Sequence, residues 1–187
     1  MTGAQDESSR LGLALPSMPA MKISYLADVP ELADQLIPGL LDQWRALVPE
    51  DTAEARRQRF QAHLNRDVLP IAWLAHEGAQ AFGTASLRAS DLPGREELSP
   101  WLGGVYVAPP FRGKGIASAL CRTVEEKTIA LGHERLFLFT LDRQSLYERL
   151  GFHRLERAEW RGRTADVMMK VLGSGVHSPG SAPASAR

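Results

Sequence analysis

Residues 101–118 read "WLGGVYVAPPFRGKGIAS", and the fold class turns on how this stretch divides. "WLGGVYV" is apolar at both alternating sets of positions, which suits a central strand covered by helices on its two faces. "APPF" ends that strand. "RGKGIAS" then opens a helix carrying Ile116, Leu120, Val124 and Leu131 along one stripe as far as Gly132. Gly113 and Gly115 therefore fall in the first turn of the helix. Unpaired N–H groups and about half a positive charge gather there, and residues without side chains let a phosphate approach them closely. Arg112 and Lys114 add positive charge. The Gly103–Gly104 pair weakens a strand, so it marks a bulge or a place where something lies against the backbone. Other phosphate motifs do not fit. Lys114 is followed by Gly115 rather than Ser or Thr, and Ser118 takes the third glycine position of a dinucleotide fingerprint.

Upstream, "KISYLA" (22–27) reads as a strand, with Asp28 and Pro30 as the cap and first turn of a helix. Leu32, Leu36, Leu40 and Trp44 recur along it at helical spacing, and Pro38 is set to kink or divide it. A second helix starts near Asp51 or Thr52 and turns Phe60 and Leu64 inward. "LPIAWLAHE" (69–77) and "QAFGTASLRAS" (80–90) form a hairpin about Gly78, and "DLPGREELSP" (91–100) is a loop. Downstream, "RLFLFTL" (135–141) is another strand apolar on both faces, and "RQSLYERL" (143–150) a short helix stopping at Gly151. "FHRLERAEW" (152–160) and "ADVMMKVL" (165–172) pair antiparallel about "RGR" (161–163). The order predicts an α/β (α+β) fold: one mixed, mostly antiparallel sheet of six to seven strands, with a central parallel pair and helices on both faces.

The chain has 187 residues, 44% of them hydrophobic, enough for one substantial core. Lys+Arg and Asp+Glu each number 22. With no net charge there is no basic field to hold nucleic acid or an anionic membrane surface. Cys121 is the lone cysteine, which rules out an internal disulfide, and the five scattered His form no zinc spacing. No metal is expected, and Cys121 reads as a small buried hydrophobe on a helix face. A reducing cytoplasm is the expected compartment. Residues 1–20 hold an apolar patch too short for a signal peptide and read as a flexible extension; 21–172 read as the domain, and the Gly/Ser/Ala/Pro-rich 173–187 as a disordered tail.

These residues resemble the GNAT superfamily of N-acetyltransferases, whose members bind acetyl-CoA. The family's strand often ends V-x-P and is followed by [RQ]-x-x-G-x-[GA] opening a helix, matched here by "VYVAPPFRGKGIA". About thirty residues on, the family places a strand and a short helix ending Y-x-x-x-G-[FY], matched by "LYERLGF" from Leu146 to Phe152. The likeness is strong over 101–152 and reaches 22–172 by element order. One departure stands out: the family often has Asn seven residues before the Tyr, and here Thr140 occupies that position.

The resemblance implies transfer of an acetyl group from acetyl-CoA to a primary amine of a small molecule or peptide N-terminus; a non-catalytic CoA- or acyl-CoA-binding regulatory module is the alternative. It also implies that the central parallel strands splay apart to admit acetyl-CoA. Backbone N–H groups of Gly113, Lys114, Gly115, Ile116 and Ala117 would hold the pyrophosphate, with Arg112 beside it. Val105 and Val107 would pair with the pantetheine amides, as an added strand does. The N–H of Val105 or Tyr106 would polarise the thioester carbonyl, and Tyr147 would give the departing thiolate its proton. From its place just before the central strand, Glu97, with Glu96 behind it, is the expected base, a solvated loop charge being the other reading. Trp44 and Trp101 are candidates for walls of an acceptor pocket, although either also suits a core. Glu50, Asp51 and Glu54 would draw a cationic amine or serve only a charged helix start. Many family members are dimers, so a homodimer is an open expectation by analogy.

Overall fold

In the computed structural model, which describes residues 21–173, β1 (Lys22–Tyr25) leads through a 3₁₀ segment, Pro30–Leu36, into α1 (Ile37–Trp44). The divide falls beside Pro38, within the first turn of α1, where a missing N–H costs nothing. Asp28 does not cap this segment. Val29 stands at the cap without a side-chain hydrogen bond, and the Asp28 carboxylate pairs with Arg66 instead. Thr52 does cap α2 (Ala53–Ala62), its hydroxyl accepting from the Ala55 N–H at 3.1 Å.

The hairpin of β2 (Ile71–Glu77) and β3 (Gln80–Arg88) precedes β4 (Trp101–Val107), α3 (Ile116–Ala130), β5 (Arg135–Thr140) and α4 (Gln144–Arg149). β6 (His153–Trp160) and β7 (Arg163–Val171) close the fold about a turn in which Arg161 and Gly162 both have positive φ, 48° and 73°, as a two-residue hairpin turn asks. The seven strands form one sheet in the order β1-β2-β3-β4-β5-β7-β6. All neighbours are antiparallel except β4 and β5.

Helices cover both faces. Leu120, Cys121 and Val124 of α3 pack against Leu102, Leu136 and Leu138 on one side. On the other, Leu32, Leu36 and Leu40 cover Ala72, Leu74 and Tyr106. A third cluster gathers Leu92, Trp101, Phe137 and Val167. Trp101 is fully buried there, so of the two tryptophans it is the core residue. The expected extension over 1–20 and the tail from 174 lie outside the described residues. Among the described residues no helix is long and apolar enough to cross a membrane.

Candidate active site

β4 and β5 pair at one register position, Trp101↔Phe137. Beyond it the strands no longer meet, and Gly104 and Val105 have no partner in β3 either, because the register slips between Thr84 and Ser86. The expected bulge is thus at Gly104–Val105, and Gly104 takes a left-handed φ of 61°. Two cavities meet at this gap.

The first, about 550 Å³, runs from Val105–Val107 past the start of α3 and is closed by Tyr147, Arg143 and Arg149 of the α4 region. Gly115 caps α3 with φ 78°, and Gly113 has φ 76°. A Cβ at either would meet nothing within 4 Å, so glycine is required for the backbone torsion, and the space over the helix N-terminus is open. Gly113, Gly115, Ile116 and Ala117 line this groove together with Ser118, and Arg112 borders it. The Arg112 guanidinium donates to the Val107 carbonyl at 2.8 Å and to Gln43 at 3.3 Å, so it braces the strand end as well. Lys114 is absent from the lining; its ammonium lies 5.6 Å over the Phe111 ring.

The second cavity, about 480 Å³, lies on the α1 side of the gap, lined by Trp44, Gly103–Tyr106, Phe139, Thr140 and Tyr147. Trp44 packs edge-on against Trp160, and Arg161 ties the β6–β7 turn to the loop after α1 through Leu47 O and Glu50. The carboxylates in this wall are Asp42, Asp91 and Asp142. Asp91 is the most sheltered, its side chain 14% exposed and paired with Arg88, whereas Asp42 and Asp142 are 81% and 68% exposed. Glu97 and Glu96 are exposed on the 91–100 loop and border neither cavity. Glu50, Asp51 and Glu54 pair with Arg161, with Arg56 and Arg59, and with Arg57, and none reaches the cavity wall. Glu50 thus holds the β6–β7 turn, while Asp51 and Glu54 pair with arginines of α2. Among the described residues no three His, Cys, Asp or Glu side chains cluster as metal ligands.

Tyr147 borders both cavities and is 8% exposed. Burial, with lesser contributions from Asp142 and Asp91, raises its phenol pKa, so it stays protonated. Thr140 accepts from the Arg143 N–H at 3.0 Å and so shapes the entry to α4, in place of the asparagine the family often has. Cys121 is fully buried, and desolvation pushes its thiol up to about 12, which leaves it unreactive. Tyr106 lays its hydroxyl directly over Gly39 of α1, where a Cβ would overlap it. Gly39→Ala should therefore destabilise the fold by about 1–3 kcal/mol in urea unfolding, despite alanine's better helix propensity.

His63 follows α2 in a small cavity beside Arg56, Arg59 and Arg88. Its Nδ1 lies 2.5 Å from Arg59 O, and its Nε2 is buried without a partner. Desolvation first, and then the Arg88 charge, lower its pKa to about 4. The unfolded chain takes up this proton first, near pH 6.5, so the stability from neutral His63 is complete above that pH and is lost as pH falls toward 4. The loss is about 3 kcal/mol at most. His63→Gln should flatten this part of the stability profile between pH 6.5 and 4.

Sequence reasoning did not single out Arg143 and Arg149, which face the groove from the α4 region, or Asp91, which enters the second cavity from the loop. The short spacing from Tyr147 to Arg143 and Arg149 was the signal for the first two. No local pattern marked Asp91.

The sequence matches the Acetyltransferase (GNAT) family over residues 34–152. A comparison with curated protein sequences finds no match. Among solved structures, an aminoglycoside 6'-acetyltransferase type Ii is similar at 22% identity and a TM-score of 0.62, over 81% of this chain and 97% of that one. An aminoglycoside 6'-N-acetyltransferase complexed with coenzyme A is similar at 19% and 0.62, over 81% and 97%. N-acetylglutamate synthase from Neisseria gonorrhoeae, complexed with coenzyme A and N-acetyl-glutamate, is similar at 18% and 0.59, over 82% of this chain and 35% of that one.

Proposed function

This chain belongs to the GNAT acetyltransferase family, and from that premise we propose that it transfers the acetyl group of acetyl-CoA directly to a primary amine of a small molecule or peptide N-terminus. The observation that carries the reading is the place of Tyr147, buried where a groove ending at a helix N-terminus meets a second cavity walled by aromatic and carboxylate side chains. A residue that only helped to bind CoA would have no need to face both.

The α3 N-terminus, with Gly113 and Gly115, binds the pyrophosphate, and Arg112, Arg143 and Arg149 supply the charge around it. The open edge of Val105–Val107 receives the pantetheine arm as an added strand. The N–H of Val105 or Tyr106 polarises the thioester carbonyl, and Tyr147 protonates the sulfur as the C–S bond breaks. The acceptor amine enters from the second cavity between Trp44 and Phe139, and its proton leaves by way of water and the carboxylates of that wall.

The test is amine-dependent release of free thiol from acetyl-CoA, with the acetylated product identified by mass. The panel is kanamycin, spermidine and an unblocked peptide; kanamycin is included because the structural neighbours include aminoglycoside acetyltransferases. Turnover of one class is the expected result. Tight acetyl-CoA binding without thiol release from any class is what the non-catalytic acyl-CoA-binding module predicts.

A further inference from the structure

The two glycines of β4 are backed by one side chain. The Arg88 guanidinium donates through Nε to Ser86 Oγ at 2.8 Å, and Ser86 Oγ donates to the Gly103 carbonyl at 2.9 Å. Its Nη1 donates to the Asp91 carboxylate. Its Nη2 would lie 2.7 Å from a Cβ on Gly104, and its Cζ 3.2 Å from a Cβ on Gly103, which Asp91 Oδ2 would meet at 2.5 Å. The guanidinium and its carboxylate partner therefore occupy the space that side chains at 103 and 104 would need. That arrangement accounts for two glycines in a strand that otherwise loses stability by having them.

We propose that Arg88 is a positioning residue for acetyl transfer: propped against Gly103–Gly104 and tied to Ser86 and Asp91, it sets the bulge of β4 and so aims the Val105 or Tyr106 N–H at the thioester carbonyl. Three features converge on this role. The bulge falls opposite Ala85, directly beside the Ser86↔Gly103 pair, and Ser86 links the guanidinium to the Gly103 carbonyl. Gly104 is held at φ 61°, and Val105, the next residue, borders both cavities. Neither β3 nor β5 pairs with Gly104 or Val105, so the ladder does not fix them and another restraint must. Arg88 is fit for it because its planar fork reaches Ser86, Asp91 and the face of the glycines at once, which a lysine ammonium cannot do. Arg88 itself touches no reacting atom. It also borders the small cavity of His63, and its charge reaches that imidazole, so the prop belongs to a packed polar network.

This proposal rests on the acetyltransferase reading, and the two can fail separately. The measurement is the infrared stretch of the acetyl carbonyl in carbon-13-labelled acetyl-CoA bound to the full chain, with the dissociation constant measured alongside by calorimetry. A polarised carbonyl absorbs at lower frequency than the free thioester. Wild type should show that downward shift; Arg88→Met should bind acetyl-CoA as tightly yet lose most of the shift, and Arg88→Lys should recover little of it. With an accepted amine, Arg88→Met should lower turnover by about ten- to a hundredfold, since sub-ångström aim governs reaction in a preorganised site. A shift in Arg88→Met equal to wild type overturns the proposal. So does wild type that binds acetyl-CoA with no shift at all. Failure of wild type to bind acetyl-CoA removes the acetyltransferase reading instead. If Arg88→Met does not fold, Ser86→Ala, which deletes only the linking hydroxyl, is read in its place, and an unaltered shift there counts against the proposal equally.

Discussion

Tyr147→Phe is expected to lower turnover by about 10²–10⁴-fold, about 3–5.5 kcal/mol in the barrier, while acetyl-CoA binding stays close to wild type. Phenylalanine keeps the ring, its edge-on packing against Phe152 and its place in the core, and removes only the hydroxyl. The departing sulfur would be released into a groove where an unprotonated thiolate is penalised by desolvation, as the phenolate is. That shared penalty lets a phenol with a raised pKa still act as the acid. Because its pKa is raised, Tyr147 keeps its proton past the usual tyrosine value, and the wild-type rate should show no fall from tyrosine ionisation below about pH 10. Steady-state thiol release with the accepted amine, together with a calorimetric acetyl-CoA titration, separates the two effects. Wild-type turnover in Tyr147→Phe would remove the residue from the mechanism.

Gly115→Glu should weaken acetyl-CoA binding by about 10²–10³-fold, about 2.7–4.1 kcal/mol. The backbone there is left-handed, so any side chain carries strain, and the space above it is open, so the new carboxylate projects into the groove rather than clashing. It would stand where the α3 N–H groups and the arginines gather positive potential and would compete with the pyrophosphate for both. Gly115→Ala, strained but uncharged, should lose much less. Equal losses in the two variants would place the effect in the backbone and leave the phosphate site unsupported.

Much of this architecture was legible in the residues. "WLGGVYV" and "RLFLFTL", apolar on both faces, read as the buried central pair, and the glycines after Arg112 read as a helix start with bare backbone. The Thr52 cap and the turn at Arg161–Gly162 were equally local, since each depends on one or two residues. What was not legible depended on contacts distant in sequence. Asp28 looked like a cap and is held by Arg66 instead. Trp44 and Trp101 were alike as letters, and only tertiary packing sent one to the cavity wall and the other to the core. Glu97 stands close to β4 along the chain. The loop turns Asp91 into the cavity, where it pairs with Arg88, and leaves Glu97 in solvent. The Arg88 prop joins residues on β3, β4 and the loop between them, and only the assembled sheet brings them into contact.

The most direct test of the central claim is a calorimetric titration of the wild-type chain with acetyl-CoA, paired with its thermal unfolding across the same concentrations. Saturable one-to-one binding, with stability rising with ligand as linkage requires, is the predicted result. A well-folded protein that releases no heat and whose unfolding temperature does not move with acetyl-CoA would contradict it.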